Sequence, residues 1–299
     1  MAKHAYTKQA LTYVQQLQQL KDRGLTVEND QKALFLLENV SYYRLSGYWF
    51  PLLADKQNHI FKPTATFNKA FNIYCFDKEL RKLVLSELEK IEVAIRAKMI
   101  YILSHRHGAF WFQNPTIFRS PVEHARTITA IEKEFKRSDE EFIRAFKNKY
   151  IEPLPPSWMI LEITSFGSLS RLYQNLLPSK EKREIAHYFG LADSVFETWL
   201  HSIVYLRNVC AHHTRLWNRM MQITPQNPRK PHFDWIQTPN IANNRTYFML
   251  CMIKYLLQTV NPNNTFKDKI EYLTGKYNNI SLNAMSFSNN WKNEPLWNK

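Results

Sequence analysis

Apolar residues recur along this chain at three- and four-residue intervals almost throughout, the period of helices that bury one face. The stripe is longest at Leu80, Val84, Leu88, Ile91, Ile95, Met99 and Ile102, which predicts a helix from about Asp77 to Leu103 with Gly108 as its stop. Ala10, Leu11, Val14, Leu17 and Leu20 predict a helix over residues 6–22, ending at Gly24. A second is expected after Thr26, with Leu34, Leu36, Leu37 and Val40 inward. The aromatic block from Tyr42 to Pro51 is expected to bend at Gly47 and Pro51, and Thr66 reads as a cap for a helix from Phe67. Residues 122–150 read as two exposed, charged helices around Ser138 and Asp139, followed by a break at Pro153, Pro155 and Pro156.

Further helices are expected over residues 157–164, 168–177 and 180–189, the last ended by Gly190. Asp193 reads as the cap of an amphipathic helix through Phe196, Trp199, Leu200, Ile203, Leu206 and Cys210. Pro225, Pro228 and Pro231 mark a loop, residues 244–259 form another helix, and the tail from Asn278 is weakly patterned. Strand signals shrink to short extended pieces near His59–Phe61. The class is therefore all-α. The expected partition is an N-terminal helical region over 1–65, a helical domain over 66–260 with a charged insertion at 111–154, and a C-terminal helix and tail over 261–299.

Composition narrows the partners. Of 299 residues, 44% are hydrophobic, enough for a sizeable core, and only 6 are glycine, too few for glycine-rich phosphate loops or turn-dense sandwiches. The formal net charge is +14, spread over both halves: 24 Lys+Arg against 16 Asp+Glu in residues 1–150, and 16 against 10 in 151–299. Such a balance points to an anionic partner, nucleic acid or a membrane surface. No stretch approaches the roughly 20 apolar residues of a membrane span, and the nearest, Tyr247–Leu257, reads as a buried helix containing Lys254. The first residues carry no apolar run suited to a secretory signal, and Cys75, Cys210 and Cys251 are too few and too scattered for a disulfide framework or zinc ribbon. A cytoplasmic protein without a metal or other cofactor is expected.

Between Glu197 and Asp234 there is no acid, while Arg207, Arg215, Arg219, Arg229 and Lys230 fall there. The same window holds the string Arg207-Asn208-Val209-Cys210-Ala211-His212-His213-Thr214-Arg215-Leu216-Trp217-Asn218. Arg207 and His212 form a sensible pair for cutting RNA. Arginine stays protonated and can hold a phosphate with two donors, and histidine can move a proton near neutral pH. Five helical residues turn a side chain by about 140°, so the two do not share one face of a regular helix. Either Arg207 reaches around, or the helix distorts near Ala211, or a second subunit completes the site. The ordinary alternative is surface pairing and capping, since a histidine is favoured at any helix C-terminus.

That string resembles the signature of the Abi family, the AbiD/AbiF-like abortive-infection proteins of bacteria. Collinear segments extend the resemblance over roughly residues 10–260: Tyr43-Arg44-Leu45-Ser46-Gly47-Tyr48-Trp49, Phe76–Arg81, Glu89–Arg96 and Ser165–Ser170. The family is similar to the HEPN superfamily of all-α, often dimeric, metal-independent ribonucleases carrying Arg-x4–6-His, a form also present in type VI CRISPR effectors. The resemblance implies a HEPN-like bundle, a homodimer, antiphage defence, an RNA substrate, and Arg207 and His212 as catalytic residues. It suggests Asn208 as an organiser of the site and His213 as an accessory. Some HEPN proteins bind RNA without cutting it, so a non-catalytic protein held by a specific small non-coding RNA is the alternative. A DNA-binding regulator is a third reading, but no recognition helix is identifiable.

Other residues join the expected RNA surface. Arg215 and Arg219 lie beside the motif, with Leu216 and Trp217 packing next to its helix. Glu92 and Arg96 are either a plain i,i+4 ion pair or supports facing the Arg207/His212 cleft. Arg44 with Tyr43, Tyr48 and Trp49 is either domain core or a stacking platform for bases. His105-Arg106-His107 lacks partners at zinc spacing and is expected to be a loop. No His-Glu-x-x-His, Gly-x-Ser-x-Gly or Walker-type loop occurs, so metalloprotease, α/β-hydrolase and P-loop readings have no motif.

Overall fold

The computed structural model describes residues 5–298, and over them the chain forms twelve α-helices, one two-stranded hairpin and several 3-10 turns. The fold is all-α, as the periodicity predicts. It divides into two compact units, one of Met1–Glu79 with Leu273–Ile280, the other of Leu80–Tyr272 with Ser281–Lys299. The division falls within a continuous helix, where no linker composition marks it.

The first unit begins with α1 (Tyr13–Asp22). The helix expected from residue 6 starts only here because Thr12 and Gln15 form a reciprocal capping box, which gives the chain a defined entry point. Gly24 ends it at φ +87°. Next come α2 (Asp30–Val40) and α3 (Tyr42–Trp49). A bend lies at Ser41, φ 78°, whose hydroxyl caps α3; α3 runs on through Gly47, and the chain turns out of it at the 3-10 turn Phe50–Leu52, which holds Pro51 as expected. Ala33, Leu36 and Leu37 are fully buried, while Leu34 and Val40 are only partly covered. Strands β1 (Leu53–Asp55) and β2 (Ile60–Phe61) pair antiparallel, matching the short extended piece expected there. The core unites Leu17, Leu20, Leu37, Leu45, Trp49 and Phe61, and the buried Tyr48 hydroxyl donates to Asp77 Oδ2 at 2.6 Å.

Helix α4 (Phe67–His107) is 41 residues long and outruns its predicted span at both ends. Thr66 caps its start by accepting from Lys69 N–H, and Gly108, φ +82°, stops it. His105-Arg106-His107 is therefore its last turn and not a loop, a placement that suits cationic side chains. All seven residues of the predicted stripe, from Leu80 to Ile102, are buried.

The second unit continues with α5 (Pro121–Arg137), α6 (Glu141–Lys149), α7 (Ser157–Ile163), α8 (Phe166–Asn175), α9 (Lys180–Tyr188), α10 (Asp193–Ala211), α11 (Thr246–Val260) and the start of α12 (Phe266–Lys276), whose residues from Leu273 on belong to the first unit. The charged insertion is less exposed than expected, because α5 and α6 bury Ile131, Phe135, Ile143 and Phe146. Helix α10 packs against α8, α9 and α11. Every residue of α11 from Thr246 to Leu257 is buried, as befits a helix enclosed on all sides. Asp193 turns out to be the first helical residue of α10 rather than its cap, with its carboxylate accepting from Ser194 N–H in the favourable first turn. Gly190 is required where it stands: φ is +71° and a Cβ would lie 2.7 Å from the Phe233 ring. Tyr255 Oη donates to Gly190 O at 2.7 Å and accepts from His232 and Phe233 N–H, which ties the proline-rich loop to α11.

The weakly patterned tail is a packed element. Met285, Phe287, Trp291, Leu296 and Trp297 are buried, and Glu294 accepts from the backbone N–H groups of Gln237 and Thr238. Aromatic anchors set in 3-10 turns have no helical period, so the sequence pattern hides them. Among the described residues no helix is long and apolar enough to cross a membrane.

Glu87 on α4 is 1% exposed and pairs with Lys90 at 2.6 Å and Lys269 at 2.9 Å. Burial pushes its carboxyl up, but the hydrogen bonds and charges of the two lysines outweigh that and hold it below the ordinary carboxylate range. A carboxyl so lowered adds stability above its unfolded pKa, about 4.3, and that stability is lost as pH falls through the lower folded value. Glu87→Gln is expected to cost about 1–3 kcal/mol at neutral pH and to flatten the acid limb of stability. Chemical denaturation at a series of pH values checks both, and an unchanged acid limb would count against this account.

Candidate active site at the end of helix α10

Helix α10 stays regular to Ala211, and His212 is its C-cap, with φ −84° and ψ 11°. The chain leaves the helix only at His213, which adopts left-handed φ 56°. His213 N–H donates to Cys210 O at 3.1 Å and Thr214 N–H to Val209 O at 3.0 Å, closing a Schellman motif. Distortion near Ala211, one way of bringing the pair together, is thus not what the chain does. Arg207 and His212 remain about 140° apart around the axis and about 7.5 Å apart along it. His212 is exposed, and among the described residues its imidazole has no hydrogen-bond partner.

Arg207 has a side chain 41% exposed and turns toward α4, where its Nε lies 3.9 Å from Glu92 Oε2. The other oxygen of Glu92 accepts from Arg96 Nη2 at 2.8 Å. Arg96 Nη1 in turn donates to the backbone oxygen of Thr164, just beyond α7, at 2.9 Å. Arg96 is 7% exposed, so it serves the site from behind and does not present its charge on the surface. Glu92 and Arg96 are more than an i,i+4 pair: they form the support on which Arg207 leans. Thr164 could not be found by sequence reading, because its contribution is a main-chain carbonyl. It immediately precedes Ser165, which caps α8 and opens the Ser165–Ser170 segment noted in the sequence. Asn208 is exposed, and its Oδ1 accepts from Arg207 Nη1 at 3.3 Å, a local tether on the guanidinium.

The rest of the string is mostly structural. Leu216 and Trp217 are buried, as expected for residues packed beside α10. Arg219 donates from Nε and Nη2 to the Tyr205 hydroxyl on α10, at 3.2 and 2.9 Å, and from Nη1 to Arg215 O. Tyr205 was not singled out, since nothing in the helical pattern distinguishes it. Arg215 is half-buried. Asn218 takes left-handed φ 52° and accepts from Arg245 Nη2 at 2.7 Å.

Arg44 lies on α3 in the first unit, whereas Arg207 and His212 belong to the second. Tyr48 and Trp49 are core residues, so the four-residue stacking platform does not form, and only Arg44 and Tyr43 of that group are exposed. Among the described residues no group of three or more His, Cys, Asp or Glu could hold a metal ion.

The left-handed turn at His213 generates a prediction. An L-residue pays about 1–2 kcal/mol there, and glycine offsets roughly half through its unfolded-state freedom. His213→Gly is expected to be more stable than His213→Ala, which loses the same imidazole but keeps the strain, by about 0.5–1 kcal/mol, a difference in Tm of about 2 °C. Thermal unfolding of the two variants reads this directly, and an equal or lower Tm for His213→Gly would count against the strain.

Comparison with known proteins places the string in a wider frame. A family model described as Abi-like protein matches residues 35–218, from α2 to the end of the Arg207–Asn218 string. No match was found among the curated proteins or the solved structures compared. The matched span covers more than half of the chain and includes Arg207, Asn208, His212 and the Glu92–Arg96 support: the chain belongs to the Abi-like protein family.

Proposed function

We propose that this protein is an antiphage abortive-infection factor of the cytoplasm that acts as a metal-independent endoribonuclease of the HEPN type. The observation that carries the reading is the arrangement around Arg207. A half-exposed guanidinium lies 3.9 Å from Glu92, itself fixed by a buried Arg96, with an exposed histidine on another face of the same helix end. Family membership supports the defence role, and the +14 charge supports an RNA partner.

In this mechanism the ribose 2′-oxygen attacks the adjacent phosphorus while the P–O5′ bond breaks. The 2′-hydroxyl gives up one proton and the departing 5′-oxygen gains one, with imidazole as carrier. Arg207 holds the phosphate and stabilises the charge that grows on its oxygens. Arg207 and His212 diverge by about 140° on one helix, and a two-fold homodimer brings two such sets to one cleft, so that one His212 takes a proton and the other returns one. Glu92 and Arg96 are positioning residues, Asn208 steadies Arg207, and His213, Arg215 and Arg219 guide the strand, while the exposed Arg44 of the first unit is an RNA contact of its own.

Incubation of purified protein with single-stranded RNA in EDTA tests the reading. Fragments ending in a 2′,3′-cyclic phosphate and a 5′-hydroxyl are expected. Loss of His212 should lower the rate by about 10²–10⁴-fold, with a comparable loss for Arg207→Ala. Glu92→Gln should lower the maximal rate with little change in KM, and Glu92→Asp should recover part of it. Equal cleavage by His212→Ala would sink the nuclease reading. Salt-sensitive RNA binding that survives this change, with no turnover on any RNA, would identify a protein held by a non-coding RNA instead.

A further inference from the structure

The first unit contains a cavity of about 950 Å³, at the upper end of the roughly 300–1,000 Å³ usual for small-molecule sites. Its lining comes wholly from residues 6–61, so it lies apart from Arg207 and His212 in the chain's division into units. No carboxylate lines it, while Lys8, Arg23 and His59 do. Neither Lys8 nor Arg23 forms an ion pair among the described residues. Arg23 Nη1 donates to Tyr42 Oη at 3.0 Å, which orients the guanidinium and leaves its other donors available. The aromatic wall is graded: Trp49 is buried and edge-on to Tyr42, ring centroids 5.0 Å apart, whereas Tyr43 is 88% exposed with free ring faces.

The cavity therefore offers cations for an anion and an exposed ring for stacking.

We propose that this cavity binds a nucleotide. The base stacks on Tyr43, while the phosphate is met by Arg23 and Lys8. Stacking on an aromatic ring tolerates any of the four RNA bases. A purely apolar ligand would leave the two cations unmatched, and inorganic phosphate would leave Tyr43 unused. The ligand is either a free ribonucleotide or one nucleotide of an RNA strand, and the chemistry is shared.

Equilibrium dialysis of the full chain carrying His212→Ala, which removes the proposed cleavage, separates these sources. The probes are each ribonucleoside 5′-monophosphate, inorganic phosphate, and a short single-stranded RNA. Saturable binding of at least one monophosphate below about 1 mM, weakened about tenfold or more by Arg23→Gln and by Tyr43→Ala, is the result expected for a free nucleotide. Binding of the RNA alone, with the same two losses, supports a nucleotide within a strand. Because the Tyr43 ring is exposed, its removal leaves the core intact, and an unchanged Tm verifies that. Three results overturn the proposal: no binding of either kind, binding indifferent to both variants, or phosphate binding as tightly as the nucleotides. Cleavage by the unmodified chain is scored separately, so a silent cavity and a silent Arg207/His212 site are distinguishable failures.

Discussion

Arg96 is almost wholly buried, and a guanidinium so placed must have its charge and its donors met inside the protein. Two groups meet them: the carboxylate of Glu92, one turn earlier on α4, and the backbone oxygen beyond α7. Three elements thereby acquire fixed relations, because Glu92, held on one oxygen, has its other oxygen toward Arg207 on α10. What makes this possible is the adjoining apolar side of α4. Its stripe from Leu80 to Ile102 is sealed in the core, so the helix cannot rotate to release Arg96 without exposing seven apolar side chains. Hydrophobic burial sets the helix, and the buried charge then sets the site.

The end of α10 obeys a second constraint. A helix terminus leaves carbonyls without partners, and the Schellman closure satisfies two of them by forcing His213 into a conformation that glycine adopts more cheaply. That closure also turns the chain so that Leu216 and Trp217 enter the core and Arg219 folds back on Tyr205. The string from Arg207 to Asn218 is thus two things in succession: a short display of polar groups, then an anchor that keeps the display in place. Strain at His213 is local, and the anchor that follows it is what makes the strain tolerable.

Legibility in the sequence followed the physical origin of each feature. The stripe of α4, the Thr66 cap, the three glycine stops at Gly24, Gly108 and Gly190, and the burial of the α11 segment could all be read from local pattern, because each depends on residues within a few positions of one another. The late start of α1 and the continuity of α3 through Gly47 depart from the local pattern. A capping box outweighed a diffuse apolar pattern in the first case, and packing of Leu45, Tyr48 and Trp49 overrode glycine's freedom in the second. The tail was illegible because its aromatic anchors sit in 3-10 turns, where no period survives.

For the candidate site, the sequence by itself determined the chemical types and their spacing: a permanent cation and a titratable ring five residues apart, in a window free of acids, within a chain carrying +14. Those are one-dimensional properties, and a resemblance to a known family adds to them without geometry. Only the tertiary structure decided that Arg96 faces inward, that Tyr48 and Trp49 are core while Tyr43 stands clear, and that Glu92 connects α4 to α10. It also brought Lys8, Arg23 and Tyr43 to one cavity. The physical reason is the same in each case. Whether a charge or a ring lies in water or in the core depends on which distant segment covers it, and covering is settled when helices pack, not when they form.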